Sequence, residues 1–191
     1  MRVFSGAFVV AAFVAIQTVT SFALTIPEIV ARSKPAVIDI IAPRQDGSGA
    51  QGTGFFIRPD GWAVTNHHVV EDASVVRAKT STGETFSSQR ILFPRDDTDV
   101  AYVKFAVSGV PYLKSTNIDH LAEGERVLVI GNPNGLEGSV SDGIISAFRK
   151  GGDLIQITAP ISPGSSGSPV LNEDGKVIGI ATATWHEGVK T

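Results

Sequence analysis

Ser162-Pro163-Gly164-Ser165-Ser166-Gly167-Ser168-Pro169-Val170-Leu171 sets glycine, serine and proline in a tight loop directly before an apolar strand. A serine hydroxyl is a poor nucleophile at neutral pH, so a protein that uses one must place a base beside it. It must also aim backbone N–H donors at the oxyanion that forms on attack. This loop offers Ser166 as nucleophile and the N–H groups of Gly164 and Ser166 as donors. Gly164 has no side chain to hinder that close approach. By itself the stretch also reads as an ordinary Gly/Ser/Pro turn between strands, and the rest of the chain decides between the two.

The 191 residues are 42% hydrophobic and 18% charged, with 20 glycines, which suits a β-rich globular molecule of one or two small domains. A formal charge of −3 and the lack of a dense Lys/Arg cluster argue against nucleic acid as a partner. Residues 1–23 read as a secretory signal: Arg2 opens it, Val3 to Val19 is apolar or small, and Ser21-Phe22-Ala23 places small residues at a cleavage site. The apolar run approaches spanning length, so an uncleaved anchor is the alternative. With cleavage after Ala23 the protein is expected in the periplasm or outside the cell, without stable membrane association. Its zero cysteines leave stability to the core rather than to disulfides.

Thr25-Ile26-Pro27-Glu28 has the form of a capping box, predicting a short helix to about Ser33, stopped by Lys34-Pro35. Strand-like runs follow at Ala36–Ile41, Gly52–Ile57, Trp62–Thr65, Ser74–Lys79, Thr85–Leu92 and Val100–Phe105. Six strands of this size predict one closed barrel over 24–108. Ser108-Gly109-Val110-Pro111 reads as the link to a second unit, 109–191, with strands at Arg126–Ile130, Ser139–Phe148, Leu154–Thr158, Gly167–Leu171 and Val177–Thr182. That second antiparallel barrel is one strand short, and an open sheet edge needs covering.

Two further stretches give the serine loop a context. Trp62-Ala63-Val64-Thr65-Asn66-His67-His68-Val69-Val70 puts histidine directly after a strand, and Asp96-Asp97-Thr98-Asp99-Val100-Ala101 puts acids directly before one. The order His, Asp, Ser is that of chymotrypsin-type hydrolases. An α/β-hydrolase is excluded: its elbow needs glycine two places after the nucleophile, where Ser168 stands, and a helix rather than a strand next. Adjacent His67 and His68 diverge in direction with no Cys or third His nearby, so a zinc site is not expected.

On these residues the chain resembles the trypsin-like serine peptidases, and within them the bacterial HtrA (DegP-like) branch, over roughly Ile26 to Thr184. The resemblance is carried by Gly52-Thr53-Gly54-Phe55, Thr65-Asn66-His67-His68-Val69-Val70, Thr98-Asp99-Val100-Ala101-Tyr102-Val103-Lys104, Gly131-Asn132-Pro133, Gly143-Ile144-Ile145-Ser146 and the serine loop. It implies an all-β fold of two chymotrypsin-like barrels and a cofactor-independent endopeptidase acting through an acyl-enzyme. His68 would be the base, Asp99 its orienting acid and Ser166 the nucleophile, with His67 a solvated or structural neighbour. Gly164 and Ser166 would form the oxyanion hole. Substrates would be extended proteins or peptides, bound near Pro160 and Ile161 and along Ala181, Thr182, Ala183 and Thr184. With no acid at the pocket base, a small or medium apolar side chain is expected before the cut.

Three departures accompany the resemblance. Ser165 replaces the Asp that pairs with a cut N-terminus in digestive relatives, so that activation is not expected. The PDZ modules typical of the branch do not occur in these residues. Trp185–Thr191 is too short for the strand expected after Thr184. These features keep a second reading in view, a protease-like module that binds peptides without cutting them.

Overall fold

A computed structural model describes residues 24–44, 46–95, 98–131, 138–149, 151 and 153–182. The expected signal segment, Asp96, Asp97, Asn132, Pro133, Ala183 and Thr184 lie outside them.

Helix α1, Ile26–Ser33, starts at the expected box: the Thr25 N–H and hydroxyl both donate to Glu28 Oε2 at 2.8 Å. Those two bonds, the N–H first, hold the Glu28 carboxyl below its ordinary range. A single 3-10 turn, Lys34–Ala36, follows. Strands β1 (Val37–Pro43), β2 (Gly49–Phe56), β3 (Trp62–Thr65), β4 (Arg77–Thr80), β5 (Thr85–Leu92) and β6 (Ala101–Phe105) come next, with one helical turn, α2 (His67–Val70), after β3. The second half supplies β7 (Arg126–Gly131), β8 (Ser139–Arg149), β9 (Leu154–Ile157), β10 (Pro169–Leu171) and β11 (Val177–Ile180).

The first six strands close into a barrel in the order β1-β2-β3-β6-β5-β4, and the other five form a curled sheet, β11-β10-β7-β8-β9. Matching β7–β11 to β1–β5 reproduces every pairing of the barrel that does not involve β6. Among the described residues the second sheet has no counterpart of β6, so it is a half-barrel, as the strand count predicts. Three predicted strands begin or end differently for identifiable reasons. Ser74 is drawn off β4 because its N–H and hydroxyl donate to Pro43 O at 3.2 and 3.1 Å. Gly167 and Ser168 precede β10 because their N–H groups turn to Ala181 O and Ser165 O, and the same bonding ends β11 at Ile180 rather than Thr182.

Alternation along the strands sorts side chains into three apolar cores. One fills the closed barrel, where Phe56 and Phe105 meet edge to face at 6.1 Å. Another lines the half-barrel around Val127, Val129, Ile145 and Ile178. The third joins the halves: Phe55 and Val64 of the barrel meet Leu128, Ile130 and Leu171 of the sheet, with Ile29 of α1 among them. Helix α1 thus precedes the first barrel in sequence but packs across the seam onto the second half, where a Cβ on Gly175 would lie 3.4 Å from Ile29 Cγ2. Ile29 is 2% exposed, so Ile29→Ala is expected to destabilise the chain by about 2–5 kcal/mol in denaturant melts.

Candidate active site

Strand β3 ends at buried Thr65, and α2 begins two residues later, which brings His68 to the open end of the closed barrel. The sequence reading places His68 directly after a strand; the structure gives it one turn of helix, with the Glu71 N–H on His67 O at 2.9 Å. Two β-branched residues, Val69 and Val70, hide so short a helix from any periodic pattern.

Asp99 stands just before β6 and holds the α2 turn through both carboxylate oxygens. Its Oδ1 accepts from the His68 backbone N–H at 3.0 Å, and its Oδ2 lies 2.8 Å from His68 Nδ1. Oδ2 also accepts from Thr182 Oγ1 at 2.9 Å, a bond reaching from the second half of the chain. Asn66, almost wholly buried, adds a further tie by donating from Nδ2 to Asp99 O at 2.8 Å. His67 turns the other way and lies against Phe93, ring centroids 4.3 Å apart.

The serine loop opens with a turn over Ser162–Ser165 whose Ser165 N–H donates to Ser162 O at 2.9 Å. Gly164 has φ +92°, so with Pro163 before it this is a type II turn, for which glycine at the third position is the natural residue. Ser165 and Ser166 are both buried, at 6% and 7% exposure. The loop hangs on the closed barrel through Thr53, whose N–H donates to Ser166 O and whose Oγ1 donates to Gly164 O, each at 2.8 Å. A Cβ on neighbouring Gly52 would stand 2.9 Å from Val69 Cγ2 and 3.0 Å from Ser166 O. Only a glycine's width of β2 therefore separates the Ser166 backbone from the residue after His68.

His68, Asp99, Ser166 and Gly164 are thus gathered at one seam. The expected substrate positions are distributed more widely. Pro160 is exposed, and its carbonyl accepts from Ser141 Oγ at 2.9 Å. Ile161 borders an apolar groove of about 310 Å³ together with Ile155, Ile157, Val170 and Ile178, with Asp153 also on its lining. Ala181 spends its N–H on Ser168 O at 2.8 Å and its carbonyl on Gly167 N–H at 2.9 Å, so the Ala181 N–H is not available to pair with a substrate backbone. The Thr182 hydroxyl is on Asp99. Sequence reasoning did not foresee that role, nor those of Asn66 and Thr53, although the last two sit inside the matched blocks. Among the described residues no three His, Cys, Asp or Glu side chains are grouped to hold a metal.

Known proteins resemble this chain in sequence and in fold. A probable periplasmic serine endoprotease of the DegP-like kind from Chlamydia pneumoniae is 42% identical over 147 residues, 73% of this chain and 30% of that protein. The serine protease HTRA1 of Xenopus laevis is 34% identical over 181 residues, 86% of this chain and 39% of that one. The crystal structure of the serine endoprotease from Yersinia pestis superposes with a TM-score of 0.75 at 28% identity, covering 86% of this chain and 60% of that one. The chain therefore spans about a third of the length of the curated relatives it matches. Residues 52–180 match the trypsin-like peptidase domain throughout, and with these relatives and this fold the chain belongs to that family, alongside its DegP and HtrA members.

Proposed function

We propose that this chain is the catalytic part of an exported serine endopeptidase that cuts extended protein segments through an acyl-enzyme on Ser166. The reading rests above all on the Asp99 carboxylate, which receives His68 twice and Thr182 once at the seam where Thr53 suspends the Ser166 loop. His68, with its Nδ1 proton on Asp99, is set to take the Ser166 proton through Nε2 and return it to the leaving amine. Asp99 fixes that tautomer and stabilises the imidazolium that forms. The Gly164 and Ser166 N–H groups hold the oxyanion. The apolar groove beside Ile161 favours a small or medium apolar side chain before the cut. Substrates would add as a strand, so backbone bonds give affinity without strict side-chain selection. Export rests on residues 1–23 and on the periplasmic naming of the DegP-like relatives.

A biotinylated peptide phosphonate tests the assignment directly. One adduct, mapped by mass spectrometry to Ser166 and lost in Ser166→Ala, is the expected result, together with turnover of unfolded casein. An adduct that survives Ser166→Ala would overturn the nucleophile. Tight peptide binding with neither adduct nor turnover would favour the non-cutting module.

A further inference from the structure

We propose that Thr53 is a positioning residue: its hydroxyl, reaching out from the closed barrel, fixes the Gly164–Ser165 peptide of the serine loop and so holds the Gly164 amide on target. This rests on the reading of Ser166 as nucleophile. The Gly52-Thr53-Gly54 block carries part of the family resemblance, and its Thr53 side chain touches the serine loop directly.

Thr53 is fully buried on β2. At such a position valine would fill the same space and suit a strand equally well, so a hydroxyl there needs a polar reason. The Thr53 hydroxyl donates to Gly164 O at 2.8 Å across 111 residues of sequence. The other end of the same peptide is tied by the Ser165 N–H to Ser162 O at 2.9 Å. Both polar ends of that unit are therefore held, one from inside the loop and one from the opposite barrel.

Three further anchors of the loop do not use this side chain. Thr53 N–H on Ser166 O, Gly167 N–H on Ala181 O and Ser168 N–H on Ser165 O are all backbone bonds. They secure the loop from Ser165 onward. The Thr53 hydroxyl secures the stretch before it, where the Gly164 donor sits. Thr53 is itself kept in place, since its carbonyl accepts from Thr65 Oγ1 at 2.7 Å. The flanking glycines let β2 come this close: a Cβ on Gly52 would press on Ser166 O, and one on Gly54 would lie 3.0 Å from Val64 O. The role expected is therefore on the tetrahedral state more than on substrate binding.

The test compares Thr53→Val with Thr53→Ser in the full chain, using a fluorogenic peptide and a peptide boronic acid ending in boro-valine. Thr53→Val is expected to lower kcat by about 10- to 100-fold, as for a reacting group displaced by roughly an ångström. KM should change by less than about twofold, and the boronate Ki should rise roughly as kcat falls. Thr53→Ser should recover most of both. A role in stability alone would lower the melting temperature and leave the boronate Ki of the folded fraction unchanged. Wild-type kcat and Ki in Thr53→Val, or equal losses in both variants, would overturn the proposal. Should Thr53→Val not fold, Thr53→Ala replaces it with the same expected outcomes. If the wild-type chain neither turns over peptide nor takes the phosphonate, the peptidase reading is what has failed. The ¹⁵N amide signals of Gly164 and Ser165 then decide the hydroxyl's role: displaced or doubled in Thr53→Val but not Thr53→Ser supports it, and unchanged overturns it.

Discussion

Asp99→Asn is expected to cut kcat on a peptide substrate by about 10⁴-fold, and Ser166→Ala by about 10⁶-fold, with the fold intact in both. The first figure follows from the donors that face the carboxylate. Oδ1 receives the His68 N–H, and Oδ2 receives His68 Nδ1 and Thr182 Oγ1. An asparagine amide has one acceptor oxygen and an NH₂ that can only donate. Turned one way, its NH₂ opposes the His68 main chain. Turned the other, it opposes Nδ1, and the imidazole keeps a bond only by moving its proton to Nε2. His68 would then present a proton to Ser166 instead of removing one. Thr182→Val leaves the carboxylate and should cost far less. Steady-state kinetics on the purified variants check all three, and an Asp99→Asn chain keeping a tenth of wild-type kcat would remove Asp99 from the mechanism.

The second large effect is structural. Gly167→Ala is expected to detach the serine loop, destabilising the chain by about 4 kcal/mol or more and abolishing phosphonate labelling. Gly167 has φ +89°, and a Cβ there would fall 1.9 Å from Thr53 O and 2.5 Å from Thr65 Oγ1. The first atom belongs to backbone of β2, held at Thr53 by pairing with Asp39 of β1 and by the Thr65 hydroxyl on the same carbonyl, so it has little room to yield. Gly83 provides the control, because it has φ +87° with nothing within 4 Å of its added Cβ. Gly83→Ala therefore meets backbone strain without collision and should cost about 1 kcal/mol. Calorimetry on the two variants separates the contributions. Similar melting temperatures would mean that the approach of Thr53 to Gly167 is looser than the structure has it.

The sequence was most informative where residues close in the chain act together. The capping box of α1, the turn glycines and the alternating strands are local patterns, and they predicted a closed barrel followed by a second antiparallel unit one strand short, which matches the described residues. The ordered blocks around His68, Asp99 and Ser166 named three residues whose chain segments meet at one seam. What stayed hidden depends on contacts between distant segments. Thr53 meets Gly164 across 111 residues and Thr182 meets Asp99 across 83, and no periodicity records either. Ala181 illustrates the same limit: placed by resemblance on a substrate-pairing strand, its N–H is instead taken by Ser168 O. The docking of α1 was likewise unreadable, since an amphipathic face does not say which half of the molecule will cover it.

That docking, with the long reach of the seam bonds, ties the two halves of the molecule together. The barrel β1–β6 and the His68–Asp99 contact are both made within residues 37–105, without any residue of the second half. The cluster that buries Ile29 needs Leu128, Ile130 and Leu171, and the Thr182 hydroxyl on Asp99 comes from that same half. The half of the chain that covers helix α1 is therefore also the half that supplies the proposed nucleophile, so loss of α1 packing and loss of phosphonate labelling are expected to coincide in denaturant.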